Sequence, residues 1–279
     1  MAGKLYLCAT PIGNLGDMTA RCVEILRSVD LIAAEDTRNS IKLLNHFDIH
    51  TPMTAYHEYN RYDKAEELVG KLLEGQNIAC ITDAGTPGIS DPGEVLAKKC
   101  IEHGIEVSAV PGASACLTAL IVSGLSTRRF RFEAFLPPDK KDRKTILENL
   151  KNDTATLIFY EAPHRLLQTL EDLLSALGDR KIAVCKELTK LHENIFRTTI
   201  SGAVENFQKE SPRGEYVLVV EGRSAEALMM EKQAAFQKMS LEEHLQMYLD
   251  EGMERMEAMK RVAKDRGLSK REVYKLLST

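Results

Sequence analysis

Through its first hundred residues the chain alternates short apolar runs with helically spaced stripes, and this rhythm constrains the fold more than any other feature. Residues 5–10 form an apolar run with β character, residues 19–28 have helical spacing, and residues 31–34 are apolar again. Ala65, Leu68, Val69, Leu72 and Leu73 follow an i, i+3, i+4, i+7, i+8 pattern that stops at Gly75. Residues 78–82 predict the next buried strand, residues 94–103 a helix ended by Gly104, and residues 105–110 another strand. Strand, helix, strand repeated in this way predicts a mainly parallel sheet with helices on both faces.

The pattern changes after Gly124. Residues 131–136, 156–160, 181–186, 195–200 and 216–220 read as strands, with only the short segment 204–209 between the last two. Successive strands with fewer helices predict a mixed sheet. Beyond Gly222 the strand signals cease, and residues 242–250, 255–264 and 270–277 read as helices broken by Gly252 and Gly267. The expected division is a first α/β domain over residues 1–118, a mixed-sheet α/β domain over 119–222, and a helical appendage over 223–279.

Several functions are disfavoured by what the sequence lacks. There is no GxGxxG after the first strand, no GxxxxGK[ST], no HExxH and no GxSxG. The seven histidines are not spaced with cysteines as metal ligands would be. No apolar stretch approaches the roughly 20 residues of a membrane span. Six cysteines without a CxxC pair, in a chain long enough to need no staples, predict reduced thiols and a cytoplasmic protein. Strand-like sequence within five residues of the N-terminus predicts no signal peptide. With 37 Lys and Arg against 41 Asp and Glu, the net charge is −4, so any nucleic-acid contact must come from a local patch.

The chemistry-bearing residues collect in loops at strand ends, where open α/β sheets bind ligands. TPIGNLGD (residues 10–17) runs from a strand into a Pro and Gly turn, with Asp17 placed to cap the next helix. AEDTR (34–38) puts Glu35, Asp36 and Arg38 at the end of an apolar strand; helix capping with a local ion pair would also account for it. TDAGTPGISDPG (82–93) is the most informative, holding three glycines, two prolines and two aspartates directly after a buried strand. Glycine lets a ligand approach the backbone and proline stiffens the loop. VPGASA (110–115) brings small residues into a helix start. The second half adds FYEAPHR (159–165), KELTKLHE (186–193) and RGEYVLVVEG (213–222). His164 is a base or merely a helix-start residue.

These motifs, in this order, resemble the tetrapyrrole methylase superfamily, and more narrowly its ribosomal branch. The tetrapyrrole enzymes carry a GDP triplet in the third loop where this chain has Gly85-Thr86-Pro87. The resemblance implies two α/β domains with S-adenosyl-L-methionine in the cleft between them, and a homodimer. It also implies methylation of a cytidine ribose 2′-hydroxyl in 16S rRNA of the small ribosomal subunit. The family's cofactor contacts carry over to Pro11; to Asp83, Gly85, Thr86, Pro87 and Ile89; to Ser114 and Ala115; and to Tyr160 and Leu188. Methylation of a small tetrapyrrole or a protein side chain is the alternative within the class. A non-catalytic nucleotide-binding regulator with a helix-turn-helix tail, suggested by Gly267-Leu-Ser-Lys-Arg271, is the alternative outside it.

Methyl transfer from a sulfonium needs alignment and a base or cation at the acceptor oxygen, and no metal. Glu35, Asp36 and Glu187 are candidate bases, and Arg38 and Lys186 candidate stabilisers. Neighbouring strand residues point to opposite faces, so Lys186 and Glu187 cannot both line the cleft while the strand continues. Glu187 is favoured, with Glu35 and Arg38 facing it. Two segments oppose the acidic balance. Residues 128–144 carry seven cations against three anions, including Arg128, Arg129, Lys140, Lys141, Arg143 and Lys144. Residues 255–279 carry eight against three, including Lys270 and Arg271. Together they are the candidate RNA-binding surface.

Overall fold

The structure, a computed structural model, describes residues 1–277, without the side chains of Lys232, Lys270, Leu276 and Leu277. The chain begins with β1 (Lys4–Cys8), α1 (Ala20–Ser28), β2 (Leu31–Ala34), α2 (Thr37–His46), β3 (Met53–Ala55), α3 (Arg61–Leu73), β4 (Ile78–Ile81), α4 (Gly93–Glu102) and β5 (Glu106–Val110). The five strands form one parallel sheet in the order β3-β2-β4-β1-β5. Both faces are covered, as the alternation predicts. Ile78 and Cys80 of β4 pack with Leu68 and Leu96 of α3 and α4, whereas Ala79 and Ile81 pack with Leu26 and Leu44 of α1 and α2. A strand buried on both sides has no polar face, which is why β4 reads as an unbroken apolar run.

The second sheet is built from β6 (Phe130–Phe135), β7 (Thr156–Glu161), β8 (Lys181–Lys186), β9 (Asn194–Thr199) and β10 (Tyr216–Val220), in the order β6-β7-β10-β8-β9. Only β6 and β7 run parallel; the other pairs are antiparallel, so the sheet is mixed. Three helices line one face: α6 (Lys140–Leu150), α7 (Leu166–Leu177) and α8 (Ile200–Phe207), with Leu147, Leu170 and Ala203 against Phe159, Val184 and Leu218. The other face is covered by α5 (Ala115–Ser123). Its Cys116, Ala119 and Leu120 pack on Ile158, Ala183 and Val219. This helix starts where the first sheet ends and seats on the second, so a division at 118/119 passes through it.

Four helices complete the chain: α9 (Ala225–Gln237), α10 (Leu241–Asp250), α11 (Arg255–Arg266) and α12 (Lys270–Leu277). Leu245, Tyr248, Met259, Val262 and Val273 form their own small core. No helix of the described residues is long and apolar enough to cross a membrane. All six cysteines are buried and unpaired.

Local chemistry revises two expectations. Asp17 does not cap α1; it lies in a 3-10 turn capped by Asn14, and Thr19 Oγ1 accepts from Cys22 N–H (3.1 Å) to start the helix. Arg143 is not a surface cation. It is 8% exposed, its Nε donates to Asp172 Oδ2 (2.6 Å), and its Nη1 donates to the carbonyls of Pro137 and Pro138 (3.2 Å each). Removing one partner of such a buried pair leaves the other charge uncompensated. Arg143→Ala should therefore lower unfolding stability by about 3 kcal/mol, whereas the exposed Lys144→Ala should stay within about 0.5 kcal/mol of the parent. Urea unfolding of the two variants checks the contrast.

Candidate active site

Because the strands of the first sheet are parallel, the loops after β1, β2, β4 and β5 all emerge at one edge. The loop after β4, residues 82–93, is pinned from three sides. Thr10 and Gly85 exchange backbone hydrogen bonds (Thr10 N–H to Gly85 O, 2.9 Å; Gly85 N–H to Thr10 O, 3.1 Å). Thr86 Oγ1 donates to Ala113 O (2.9 Å), tying the loop to the entry of α5. Tyr56, buried at the end of β3, donates its hydroxyl to Pro92 O (2.8 Å). Within the loop, the Asp91 carboxylate accepts from the N–H groups of Gly88, Ile89 and Gly93 at 2.8–3.1 Å. Gly85 and Gly88 have φ of 88° and 85°, values that other residues rarely adopt.

Between this loop and the second sheet lies a cavity of about 490 Å³. Asp83, Gly85, Thr86 and Ile89 line it from the loop, Ser114 and Ala115 from the start of α5, and Tyr160 and Leu188 from the second sheet. Thus eight of the ten residues expected to hold a cofactor converge on one space. Pro11 instead lines a smaller adjoining cavity of about 380 Å³, and Pro87 is buried behind the loop. Tyr160 is fixed by the N–H of Cys116, which donates to its hydroxyl oxygen (3.2 Å), and burial pushes its phenol pKa up. The lining of the larger cavity includes the acidic residues Glu35, Asp83 and Glu215 and, among the described residues, no Lys, Arg or His; the Asp91 carboxylate is taken up by the loop's own N–H groups, and the Glu161 side chain is buried against Thr169 and Arg165. Such a space suits a small, positively charged ligand.

The residues expected to perform catalysis are dispersed. Glu35 lines the cavity, accepting hydrogen bonds from Thr82 Oγ1 and from Asp83 N–H (3.3 Å). Arg38 does not face it. Its guanidinium is 88% exposed and paired with Asp36 (2.8 Å), whose carboxyl these hydrogen bonds hold down at about 2. Lys186, still in β8, lies on the opposite sheet face from Cys185, beside Asn194 and Asn206 of α8. Glu187 has left the strand but is not in the lining either. Its Oε1 accepts from Glu215 N–H (2.9 Å) and Lys190 Nζ (3.1 Å), and the first of these bonds leads in lowering its pKa. A carboxylate so held is a poor base.

Asp83 is better placed. Together with Ile12, Ala84 and Glu215 it borders both cavities. Its oxygens accept only long hydrogen bonds, from Asp36 N–H (3.2 Å) and Asn39 Nδ2 (3.3 Å). Burial, and after it the neighbouring Glu35 charge, raise its pKa above the usual aspartate value. Sequence reasoning missed Glu161, Glu215, Lys190 and Phe135. Glu161, Lys190 and Glu215 fell inside motifs already singled out, but no spacing rule distinguished them from their neighbours.

Comparison with known proteins adds family to geometry. The family described as tetrapyrrole (corrin/porphyrin) methylases matches residues 4–204. A Synechocystis sp. protein named ribosomal RNA small subunit methyltransferase I is 48% identical, over 98% of this chain and 97% of its own. A Thermotoga maritima protein of the same name is 45% identical, over 79% of this chain and 99% of its own. Among solved structures, a diphthine synthase shares the fold, with a TM-score of 0.61 at 12% identity, over 80% of this chain and 91% of that one.

The cavity floor depends on the Asp91 clasp. In Asp91→Ala, amide hydrogen exchange at Gly88, Ile89 and Gly93 should quicken by roughly 10- to 100-fold, as expected when a charged acceptor is lost, while amides of β4 stay protected. Exchange measured by NMR decides it.

Proposed function

The chain belongs to the tetrapyrrole methylase family, and we propose that it transfers a methyl group from S-adenosyl-L-methionine to the 2′-hydroxyl of a cytidine in the 16S rRNA of the small ribosomal subunit. The observation that carries the cofactor reading is the 490 Å³ cavity lined by Glu35, Asp83 and Glu215 and, among the described residues, by no cation, since the donor is a sulfonium. Asp83, Gly85, Thr86, Ile89, Ser114, Ala115, Tyr160 and Leu188 hold it, while Pro11 and Pro87 shape the loops around it. When bound, the cofactor supplies a methyl group already activated for in-line displacement. What remains for the protein is to align the acceptor and remove its proton.

The acceptor ribose enters the smaller cavity, and the two spaces meet at Asp83 and Glu215. Asp83 takes the proton, because it stands where the two spaces meet and its oxygens accept long hydrogen bonds (3.2 and 3.3 Å), whereas Glu215 is engaged by Lys190 (2.8 Å). This replaces the expectation that Glu187 is the base. Methyl transfer from labelled S-adenosylmethionine to purified small subunits, with nucleoside analysis for 2′-O-methylcytidine, tests the assignment. Asp83→Asn should cut the single-turnover rate roughly 100-fold or more. Since a base works only when deprotonated and the Asp83 pKa is raised, wild-type activity should fade on acidification at a pH above that of an ordinary aspartate. A wild-type acid limb unchanged in Asp83→Asn would assign the base elsewhere.

Further features belong to the same reading. A first unit ending before Ala115, a second through residue 222 and an accessory helical unit after it agree with the packing of α5. The exposed Leu117 and Ile121 on α5 support a homodimer, and an rRNA substrate implies the cytoplasm. RNA is received by Arg128, Arg129, Lys140, Lys141 and Lys144, all exposed, and by the exposed Arg271 of α12. The side chain of Lys270 lies outside the described residues. The helical unit is read as accessory, a reading supported by its separate small core and by a Thermotoga relative that 79% of this chain matches over 99% of its length. Replacing Lys140, Lys141 and Lys144 by Ala should weaken subunit binding and reduce its salt slope, as should deleting residues 223–279, each leaving cofactor affinity intact. Filter binding across a salt series measures both.

A further inference from the structure

Two cations line the smaller cavity, Lys42 and Lys190. Lys42 is exposed on α2. Lys190 is held from several sides. Its side chain, 29% exposed, leaves the loop after β8 and crosses to the loop after β1. A Cβ at Gly13 would lie 2.3 Å from its Cγ, so the path exists only because residue 13 has none. Its ammonium donates to Glu215 Oε2 (2.8 Å) and Glu187 Oε1 (3.1 Å). Burial alone would lower the pKa of Lys190, but these bonds outweigh it and keep the group charged. The segment that delivers it is strained: Glu187 and Thr189 have φ of 50° and 66° without being glycine, and the buried Thr189 hydroxyl has no hydrogen-bond partner among the described residues. Strain of this kind persists where surroundings enforce it, commonly at functional sites.

An ammonium has three N–H donors, and the hydrogen bonds among described residues use two. Lys190 lines the smaller cavity together with Asp83 and Glu215, which also border the larger one, and that space is where the remaining donor can find a partner. We infer that Lys190 is the residue that positions the acceptor, donating its third hydrogen bond to the ribose 2′-oxygen while that hydroxyl donates its own proton to Asp83. One hydroxyl then meets one donor and one acceptor, the first from the second sheet's loop and the other from the first sheet's. The assignment rests on the ribose-methylating function proposed above and names the group that orients its substrate. Neither Lys186 nor Arg38 can fill this role, the first lying on the far sheet face and the second paired outside the cavity.

The test uses the full chain and isolated small subunits. Single-turnover methyl transfer, subunit affinity across a salt series, and calorimetric affinity for S-adenosylhomocysteine are compared for wild type, Lys190→Met, Lys190→Arg and Gly13→Ala. Loss of a charge-assisted hydrogen bond predicts a roughly 10- to 100-fold slower single-turnover rate in Lys190→Met. Cofactor-product affinity should stay within about twofold and the salt slope should not change, because no phosphate contact is lost. Lys190→Arg should recover part of the rate. Gly13→Ala, which keeps the charge but displaces the side chain, should be slowed as well. A wild-type rate in Lys190→Met overturns the inference. So does a slope lower by about one with an unchanged rate, which makes Lys190 a phosphate contact. Loss of cofactor-product affinity overturns it too, making Lys190 a prop of the cavity wall. Wild-type protein that binds the cofactor but leaves small subunits unmethylated instead overturns the functional reading itself, independently of the variants.

Discussion

The two backbone hydrogen bonds between Thr10 and Gly85 are the constraint on which the site depends. They join the loop after β1 to the loop after β4, and those strands are adjacent at the centre of the first sheet. Once the loops are paired, Ile12 faces the cavity and Gly85 must turn through a positive φ. Thr10 Oγ1 adds a hydrogen bond to Thr82 O (3.1 Å), buried with the backbone pair. A buried backbone group that loses its partner costs about 1–3 kcal/mol, so the pairing resists displacement. Everything that lines the cavity from the first sheet is referenced to it, either directly or through Thr86 and Ala113.

The second requirement is that the other wall be held at a fixed distance, and α5 meets it. The helix begins at the loop after β5, so its first residues, Ser114 and Ala115, line the cavity. Its remaining turns sit on β7, β8 and β10. One rigid element therefore carries the register of the first sheet onto the second. This explains an amphipathic pattern too weak to read: with the second sheet on one side and a loop on another, the helix is apolar nearly all round. The charge distribution follows from the same arrangement. Carboxylates gather in the interior cavity while exposed cations occupy α6 and the turn before β6. A net charge of −4 thus coexists with a surface able to meet phosphate.

Much of this was legible because it is local. The buried parallel strands, the mixed second sheet and the loops at strand ends follow from hydrophobic periodicity and from Gly, Pro and Asp clusters. What escaped depended on packing. β3, three residues long at a sheet edge, is too short to show a period. α9 has no buried residue among those described, hence no stripe. Arg143 looked like part of a basic run because sequence counts charge but not partners, and Asp172 approaches it from another helix. That Asp83, expected only as a cofactor contact, meets Glu215 where two cavities join is not readable from positions so far apart in the chain.

Glu187 shows most sharply how much a local rule leaves to the packing. The strand rule separated Lys186 from Glu187, and the structure does put Lys186 on the far face. The residue after a strand end is free of that alternation, however, and here the backbone turns left-handed at Glu187. That turn folds the carboxylate back onto the N–H of Glu215, where a Cβ at Gly214 would come 2.7 Å from its carboxyl carbon. Gly214 is therefore required for Glu187 to sit where it does, and Glu187 in turn fixes the loop that sends Leu188 into the larger cavity and Lys190 to the smaller one. Within KELTK, Glu187 holds the turn, and the residues on either side of Thr189 reach the two spaces. A left-handed, non-glycine backbone costs about 1–3 kcal/mol at each such residue. The charge-assisted bonds from Glu215 N–H and Lys190 Nζ offset that cost at Glu187, so its carboxylate braces the loop.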